Sequence, residues 1–550
     1  MSLKDQVAKL IEKEINLPFA VLSILAVILI RACLELFSSP WYLGDIFSAF
    51  FIFLNFPLYF CSVIFSLVLI TYYFTGLEFK KVFNLGVLFS SVILLPPIID
   101  LIVSGGRGLG MAYLFFDSFS EMLPSLLSFF GKFIEPGITL GIRIEVVLVL
   151  AGIAYLTYLK SKSFKKTIFA LVVSYLVLFF LFSFPSIFAI LFGNIDYYRV
   201  ANQPAGSAAY QSLSDLLSNS LANGVHNLQG LPTDKTLLFN QQLYILINRL
   251  LWLIVLAQSV WLFYLGAPKV FKAWLKNLRW ERVFYYWAIS ILGLFISFQW
   301  MSIDYSFNPV DILGLIVFFI LVALSFWLAV GINDLYDIET DSISSPNRPL
   351  AIGTITVGQQ NLINLFLGLF ILMGLATINY AVLVLLLVFQ AVYFIYSVPP
   401  LRLKRIFGLS SLLVGFNALL VMMAGFYFIA PIQKISFFPK HVLAMALFSF
   451  TLVAGIKDIK DYEGDKTNEI MTIPVVFGLK WGKRILGALA VLALLAVAWL
   501  TSLKSIAITS LIFSPILFVL INREDYEERP IFSAFFIYAA ICVISLILKS

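Results

Sequence analysis

Long apolar runs, broken by short polar or basic segments, dominate this chain from end to end. Windows of roughly 18 to 28 apolar residues, enough to cross about 30 Å of hydrocarbon at about 1.5 Å per residue, centre near residues 28, 60, 93, 148, 180 and 255. A second series centres near 293, 320, 370, 389, 420, 448, 493, 512 and 540. The pattern predicts an all-α polytopic membrane protein with about 15 transmembrane helices, a six-helix region followed by nine more. The segment 110–131, GMAYLFFDSFSEMLPSLLSFFG, is apolar but carries Asp117, Glu121 and Pro124. An interfacial or re-entrant helix is expected there rather than a span.

Composition agrees with this, since 61% of residues are hydrophobic and 12% charged, more apolar surface than a water-soluble core could bury. The net charge of +7 changes the reading only through its placement. The cations gather in short loops, where they set orientation, and nothing points to nucleic acid. With the N-terminus in the cytoplasm, Lys80 and Lys81, Lys160 to Lys166, Lys269 to Arg282, Arg402 to Arg405, Lys457 to Arg484 and Arg523 all fall inside. The cation-poor stretch 194–243 falls outside. The first 17 residues read as a short amphipathic stretch before a retained first helix, and a prokaryotic plasma membrane is the expected location. Cys33, Cys61 and Cys542 lie in apolar runs without partner spacing and are expected to be structural thiols.

Two acidic clusters share one spacing: Asp334, Asp337 and Asp341 in NDLYDIETD, and Asp458, Asp461 and Asp465 in KDIKDYEGD. The i, i+3, i+7 pattern puts three carboxylates on one face of a continuous helix. Both clusters follow an apolar run and are expected at the cytoplasmic mouth of a helix. Six carboxylates so placed call for a multivalent cation, and Mg²⁺, which completes its oxygen shell with phosphate, implies a substrate bearing phosphate or diphosphate. Arg348, in the loop SSPNRPLAIGTIT, and Arg402, Lys404 and Arg405, in YFIYSVPPLRLKR, can hold phosphate oxygens. Tyr393 and Tyr396, one turn apart, can shield a developing carbocation. A cation transporter lined by acidic side chains is the alternative of another class.

NDLYDIETD, PNRPLAIG, YSVPPLRLKR and KDIKDYEGDKTNEIMTIPVVFG, in this order, resemble the UbiA superfamily of intramembrane prenyltransferases. The resemblance covers about 283–549. It implies a nine-helix bundle around a cavity open to lipid, and transfer of a prenyl group from an allylic prenyl diphosphate to a hydrophobic acceptor. It also implies that Asn333, Asp337 and Asp341, with Asp334 beside them, form the first metal-diphosphate motif, and Asp458, Asp461 and Asp465 the second. Tyr396, Arg402 and Lys404 match the loop that holds the diphosphate and guards the reacting carbon. The expected catalytic residues are Asp337, Asp461, Tyr396 and Lys404, the expected diphosphate ligands Arg348, Arg402 and Lys404, and the expected cofactor Mg²⁺. The PNRP and KDIKDYEGD forms look closest to the branch with geranylgeranylglycerol-phosphate, chlorophyll and homogentisate prenyltransferases. A prenylated glycerol phosphate or related lipid is the favoured acceptor, an aromatic quinone or chlorin precursor the alternative. The basic segment 267–282 reads as a cytoplasmic linker between this domain (283–550) and a transmembrane region, 1–266, of unassigned role. In that region Asp100, Arg107, Arg143 and Glu145 are ionisable groups in or beside apolar runs, where function, pairing and helix-end anchoring are all open.

Overall fold

Among the described residues, fifteen helices are long and apolar enough to cross a membrane, six before residue 267 and nine after residue 279. Each falls where an apolar window is centred, so helix number and placement follow from hydropathy. The computed structural model describes residues 17–38, 46–106, 111–131, 138–194, 207–218, 235–301, 307–430, 434–501 and 503–547. The amphipathic N-terminal stretch, Arg107 and His226 lie outside the described residues. The chain divides into two compact units, drawn mainly from residues 1–268 and 269–550.

The first unit contains α1 (Leu17–Ser38), α2 (Ile46–Thr75), α3 (Phe79–Phe89), α4 (Leu95–Val103), α5 (Phe119–Leu127), α6 (Leu140–Ser161), α7 (Phe164–Phe192), α8 (Ser207–Ser218) and α9 (Lys235–Gly266). The segment expected to be re-entrant is not a span. It runs without regular structure to the nine-residue α5, and its backbone is satisfied by α7: Leu114 N donates to the Phe182 carbonyl at 2.9 Å, and the Ser186 hydroxyl donates to the Phe116 carbonyl at 2.8 Å. Non-helical backbone in a membrane protein needs such partners. Two of the ionisable groups picked out from the sequence, Asp100 and Arg143, serve the same end. Asp100 Oδ1 accepts from Gly141 N at the start of α6 at 2.8 Å, and Arg143 donates to the carbonyls of Phe129, Phe130 and Gly131. Glu145 is half-buried. A buried pair that sequence did not single out, Arg31–Glu35 at 3.0 Å, joins them, Arg31 also donating to the Ile93 carbonyl at 3.0 Å.

The second unit comprises α10 (Pro268–Lys276), α11 (Trp280–Met301), α12 (Pro309–Tyr336), α13 (Ile338–Ser344), α14 (Val357–Leu375), α15 (Tyr380–Ser397), α16 (Leu409–Ile429), α17 (Lys440–Ala454), α18 (Tyr462–Thr467), α19 (Ile473–Phe477), α20 (Leu479–Thr501), α21 (Lys504–Asn522) and α22 (Glu528–Ile547). Its most buried span is α16, apolar on every face and therefore surrounded by other helices. Where α11 crosses it, Gly293 and Gly425 make backbone contact possible. A β-carbon on Gly293 would lie 1.9 Å from the Met422 carbonyl oxygen, and one on Gly425 2.1 Å from that of Ser290. Small residues at such crossings take the place of a hydrophobic drive that lipid cannot supply. The three cysteines form no disulfide, and of them only Cys542 is fully buried; Cys33 is exposed and Cys61 half-buried.

Candidate active site

The acidic clusters do not lie on continuous helices. The first is interrupted between α12 and α13 at Asp337, whose φ and ψ are −111° and 13°. The second is interrupted at Asp461, with φ and ψ of −90° and 7°, between a 3₁₀ turn (Gly455–Ile459) and α18. The expectation of one helix face is therefore corrected, and the break falls at the same motif position in both clusters. Beyond each break the chain turns back into a short helix, with Asp341 N donating to Asp337 O at 2.7 Å and Asp465 N to Asp461 O at 2.8 Å. The two short helices, α13 and α18, pack against each other. Gly464 allows this, since a β-carbon there would be 3.0 Å from the Thr340 carbonyl oxygen and 3.0 Å from the Ser344 side chain.

Asp337, Asp341, Asp458, Asp461 and Asp465 thereby line the mouth of one cavity of about 1030 Å³, together with Asn333, Arg348, Tyr396 and Lys404. Asp334 and Arg402 are not in its lining. Asp334 is buried behind it and accepts from Arg279 at 2.5 Å and Asn277 at 2.8 Å, with Arg348 at 3.5 Å. Arg402 donates to Asp337 Oδ1 at 2.9 Å and to the Tyr336 carbonyl at 3.0 Å. Lys404, on a 3₁₀ turn Leu403–Arg405, is buried and bonded to both Asp337 carboxylate oxygens. Arg348 pairs with Asp341. Asn333 Nδ2 donates to Asp337 Oδ2 at 2.7 Å, while its Oδ1 accepts from the Ser397 hydroxyl at 3.0 Å. The Arg405 side chain is exposed, although its carbonyl accepts from Met471 N at 3.3 Å, tying the cationic loop to the chain after the second cluster.

Charge is therefore distributed unequally. In the first cluster every carboxylate has a cation. Burial favours the neutral acid at Asp337, but Lys404 and Arg402 outweigh it and hold the carboxyl below its ordinary range. At Asp341 burial prevails over Arg348, and the group is raised to about 6. The second cluster is short of positive charge. Lys457 lies 3.5 Å from Asp458, Asp461 Oδ1 is buried with no hydrogen-bond partner, and burial with the neighbouring Asp458 and Asp461 pushes Asp465 up to about 8. A buried carboxylate oxygen without a donor, as at Asp461, fits a hard divalent cation.

Below the carboxylates lies a cluster of rings. Tyr393 and Tyr396 on α15 stand 6.0 Å apart between centroids, Phe389 packs on Tyr393 at 4.9 Å, and Tyr286 on Phe389 at 5.6 Å. The Tyr286 and Tyr393 hydroxyls are 2.6 Å apart. Lys457 Nζ donates to the Tyr396 hydroxyl at 2.6 Å while lying 5.2 Å from the ring centroid, so the ammonium sits beyond the hydroxyl rather than over a ring face. Lys457, Tyr286, Arg279 and Asn277 were not singled out from sequence. Only Lys457, adjoining the second cluster, carried a usable signal; Arg279 and Asn277 sit in a basic segment whose cations read equally well as topology anchors. From the rings the cavity continues, mostly apolar, to Trp300 and His441 at the far ends of α11 and α17.

The UbiA prenyltransferase family profile matches residues 295–540. A digeranylgeranylglyceryl phosphate synthase of Saccharolobus solfataricus is 30% identical over 215 residues, 38% of this chain and 69% of that protein. A homogentisate phytyltransferase of Synechocystis sp. is 34% identical over 160 residues, 27% of this chain and 50% of that protein. Among solved structures, that of a UbiA homolog from Archaeoglobus fulgidus bound to GPP and Mg²⁺ aligns with 50% of this chain and 97% of its own, at 20% identity and a TM-score of 0.39.

Proposed function

Because the chain belongs to the UbiA prenyltransferase family, we propose that it transfers a prenyl group from an allylic prenyl diphosphate to a lipid-soluble acceptor, with Mg²⁺ as cofactor. Membership decides for an enzyme over the cation-transport alternative. The observation that carries the site assignment is the convergence of both acidic clusters on one cavity mouth, with Asp461 lacking a partner on one side and cations in place on the other. Asp337, Asp341, Asp458, Asp461 and Asp465 would hold the metal, with Asn333 fixing Asp337 from within the lining and Asp334 standing behind it. Bound there, Mg²⁺ supplies positive charge to the leaving diphosphate.

The chain's own groups do the rest. Arg348 and Lys404 hold diphosphate oxygens as the allylic C–O bond ionises, and Arg402 positions Asp337. The faces of Tyr393 and Tyr396 lie where positive charge develops on the allylic carbons, which a ring quadrupole stabilises. The apolar wall excludes water that would quench the cation. The acceptor's nucleophilic oxygen or carbon then bonds to the allylic carbon, and its proton passes to the departing diphosphate.

A prenylated glycerol phosphate is the favoured acceptor, supported by the digeranylgeranylglyceryl phosphate synthase relatives. The homogentisate phytyltransferase match supports the second reading, an aromatic acceptor. The catalytic domain is 283–550 together with the end of the segment expected as a linker, 267–282, whose Arg279 and Arg282 line the cavity; the region 1–266 precedes it, and the cavity mouth faces the cytoplasm of a prokaryote. Purified full-length protein, given geranylgeranyl diphosphate, Mg²⁺ and either geranylgeranylglyceryl phosphate or homogentisate, tests both. Product from the first acceptor supports the favoured reading and product from homogentisate alone the second, while no product from either would sink the assignment.

A further inference from the structure

The segment expected as a linker contains a helix with two unlike faces. In the chain, α10 (Pro268–Lys276) lies between the ends of two spans, Gly266 and Trp280, and none of its residues is buried. At roughly 100° per residue, Lys269, Lys272 and Lys276 fall within an arc of about 60°, while Val270, Phe271, Trp274 and Leu275 occupy the opposite side. All three lysines are exposed, and among the described residues none is in an ion pair. Orienting the neighbouring spans requires cations near their ends, not cations aligned on one helix face. A lysine stripe opposite an apolar one is the pattern of a helix lying in the plane of a membrane surface. Leu275, 41% exposed, leaves part of that apolar side uncovered by protein.

The end of α10 is fastened to the first acidic motif. Trp274 packs edge-on against Trp327 of α12 at 6.0 Å between centroids, as Trp280 does at 5.0 Å, and Trp327 Nε1 donates to the Leu278 carbonyl at 2.9 Å. Directly after α10 come Asn277 and Arg279, the latter with a left-handed backbone (φ 49°), and both donate to Asp334. With those donors in place Arg348, 3.5 Å from Asp334, pairs with Asp341. Were α10 to lift away, Asn277 and Arg279 would go with it, and the Asp334 carboxylate would compete for Arg348. We propose that α10 rests on an anionic bilayer surface, its lysines among the lipid phosphates, and that this contact keeps Arg348 available to the diphosphate. Each lysine so placed strengthens association with an anionic leaflet by about fivefold. The proposal rests on the prenyl-transfer reading for its effect on turnover and adds to it the partner that tunes the site.

The test uses the full chain in vesicles of phosphatidylcholine alone or mixed equally with phosphatidylglycerol. Two quantities are read in each: backbone hydrogen exchange across 268–276, and the KM for geranylgeranyl diphosphate with geranylgeranylglyceryl phosphate or homogentisate as acceptor. In wild type, phosphatidylglycerol should slow the exchange and lower the donor KM, each by about fivefold or more, with acceptor KM unmoved, and high salt should weaken both effects. Inorganic phosphate added to the neutral vesicles should produce neither. Replacing Lys269, Lys272 and Lys276 together by Gln should remove both responses, and replacing all three by Arg should keep them, which separates a lipid contact from a loss of folded protein. Exchange and donor KM that are the same in both vesicles, a donor KM that stays put while exchange slows, or a Gln variant that responds like wild type overturns the proposal. Absence of transfer in every vesicle overturns the prenyl-transfer reading instead, and the exchange measurement still decides whether α10 meets the lipid.

Discussion

Gly464 and Thr340 touch across the two acidic motifs, a β-carbon at Gly464 falling 3.0 Å from the Thr340 carbonyl oxygen. That contact sets how near the carboxylates of one motif come to those of the other. Gly464→Val should force α13 and α18 apart and lower prenyl transfer at least tenfold, with a melting temperature close to wild type. Wild-type turnover in this variant would show that the motifs act without that contact.

Asp461 has a buried oxygen with no donor, and Asp337 is the carboxylate that Lys404 and Arg402 both hold. Asp461→Asn and Asp337→Ala should each reduce kcat by about a hundredfold or more under saturating donor. Near-normal kcat in either variant removes that residue from the site.

Lys404 lines the cavity while Arg402 stands behind it, so the two should separate kinetically. Lys404→Gln should raise the donor KM and lower kcat together, leaving acceptor KM alone. Arg402→Gln should have the smaller effect on donor KM, since it acts through Asp337. Equal losses in both would mean that Arg402 also reaches the diphosphate.

What could be read from sequence divides along physical lines. Apolar windows located every span because crossing hydrocarbon is a local requirement of length and hydropathy. The two aspartate motifs pointed to a cation site because like charges at a membrane edge are costly without a cation, and the structure brings both to one cavity. The breaks at Asp337 and Asp461 were not legible, since the same spacing fits one face of a straight helix, and only the packing of α13 on α18 decides otherwise. The partners of Asp334 were equally hidden. Asn277 and Arg279 are 57 and 55 residues away in the chain, and nothing local distinguishes them from cations that orient loops.

Every cavity-lining residue comes from 279 onwards, and the first six spans are an even number, so removing them leaves the next helix starting on the same side. Residues 269–550 alone should insert, fold and retain prenyl transfer from supplied substrates. Folded, correctly oriented protein without activity, beside active full-length protein, would place part of the active site in the first 268 residues.

Metal removal gives an independent reading. Dialysis against EDTA should abolish transfer and added Mg²⁺ should restore it, while liposomes carrying the protein show no cation flux. Full activity after chelation would leave the Asp461 oxygen without its proposed partner.

In the first motif, lysine and arginine already neutralise Asp337 and Asp341. A diphosphate bound beside them would accept both cations and free Asp341 and Asp337 for a divalent ion, so counter-ions would be exchanged rather than lost. On the proposed function, the site would then take metal and diphosphate together. Metal should bind feebly without donor, and donor feebly without metal, each the other's passport.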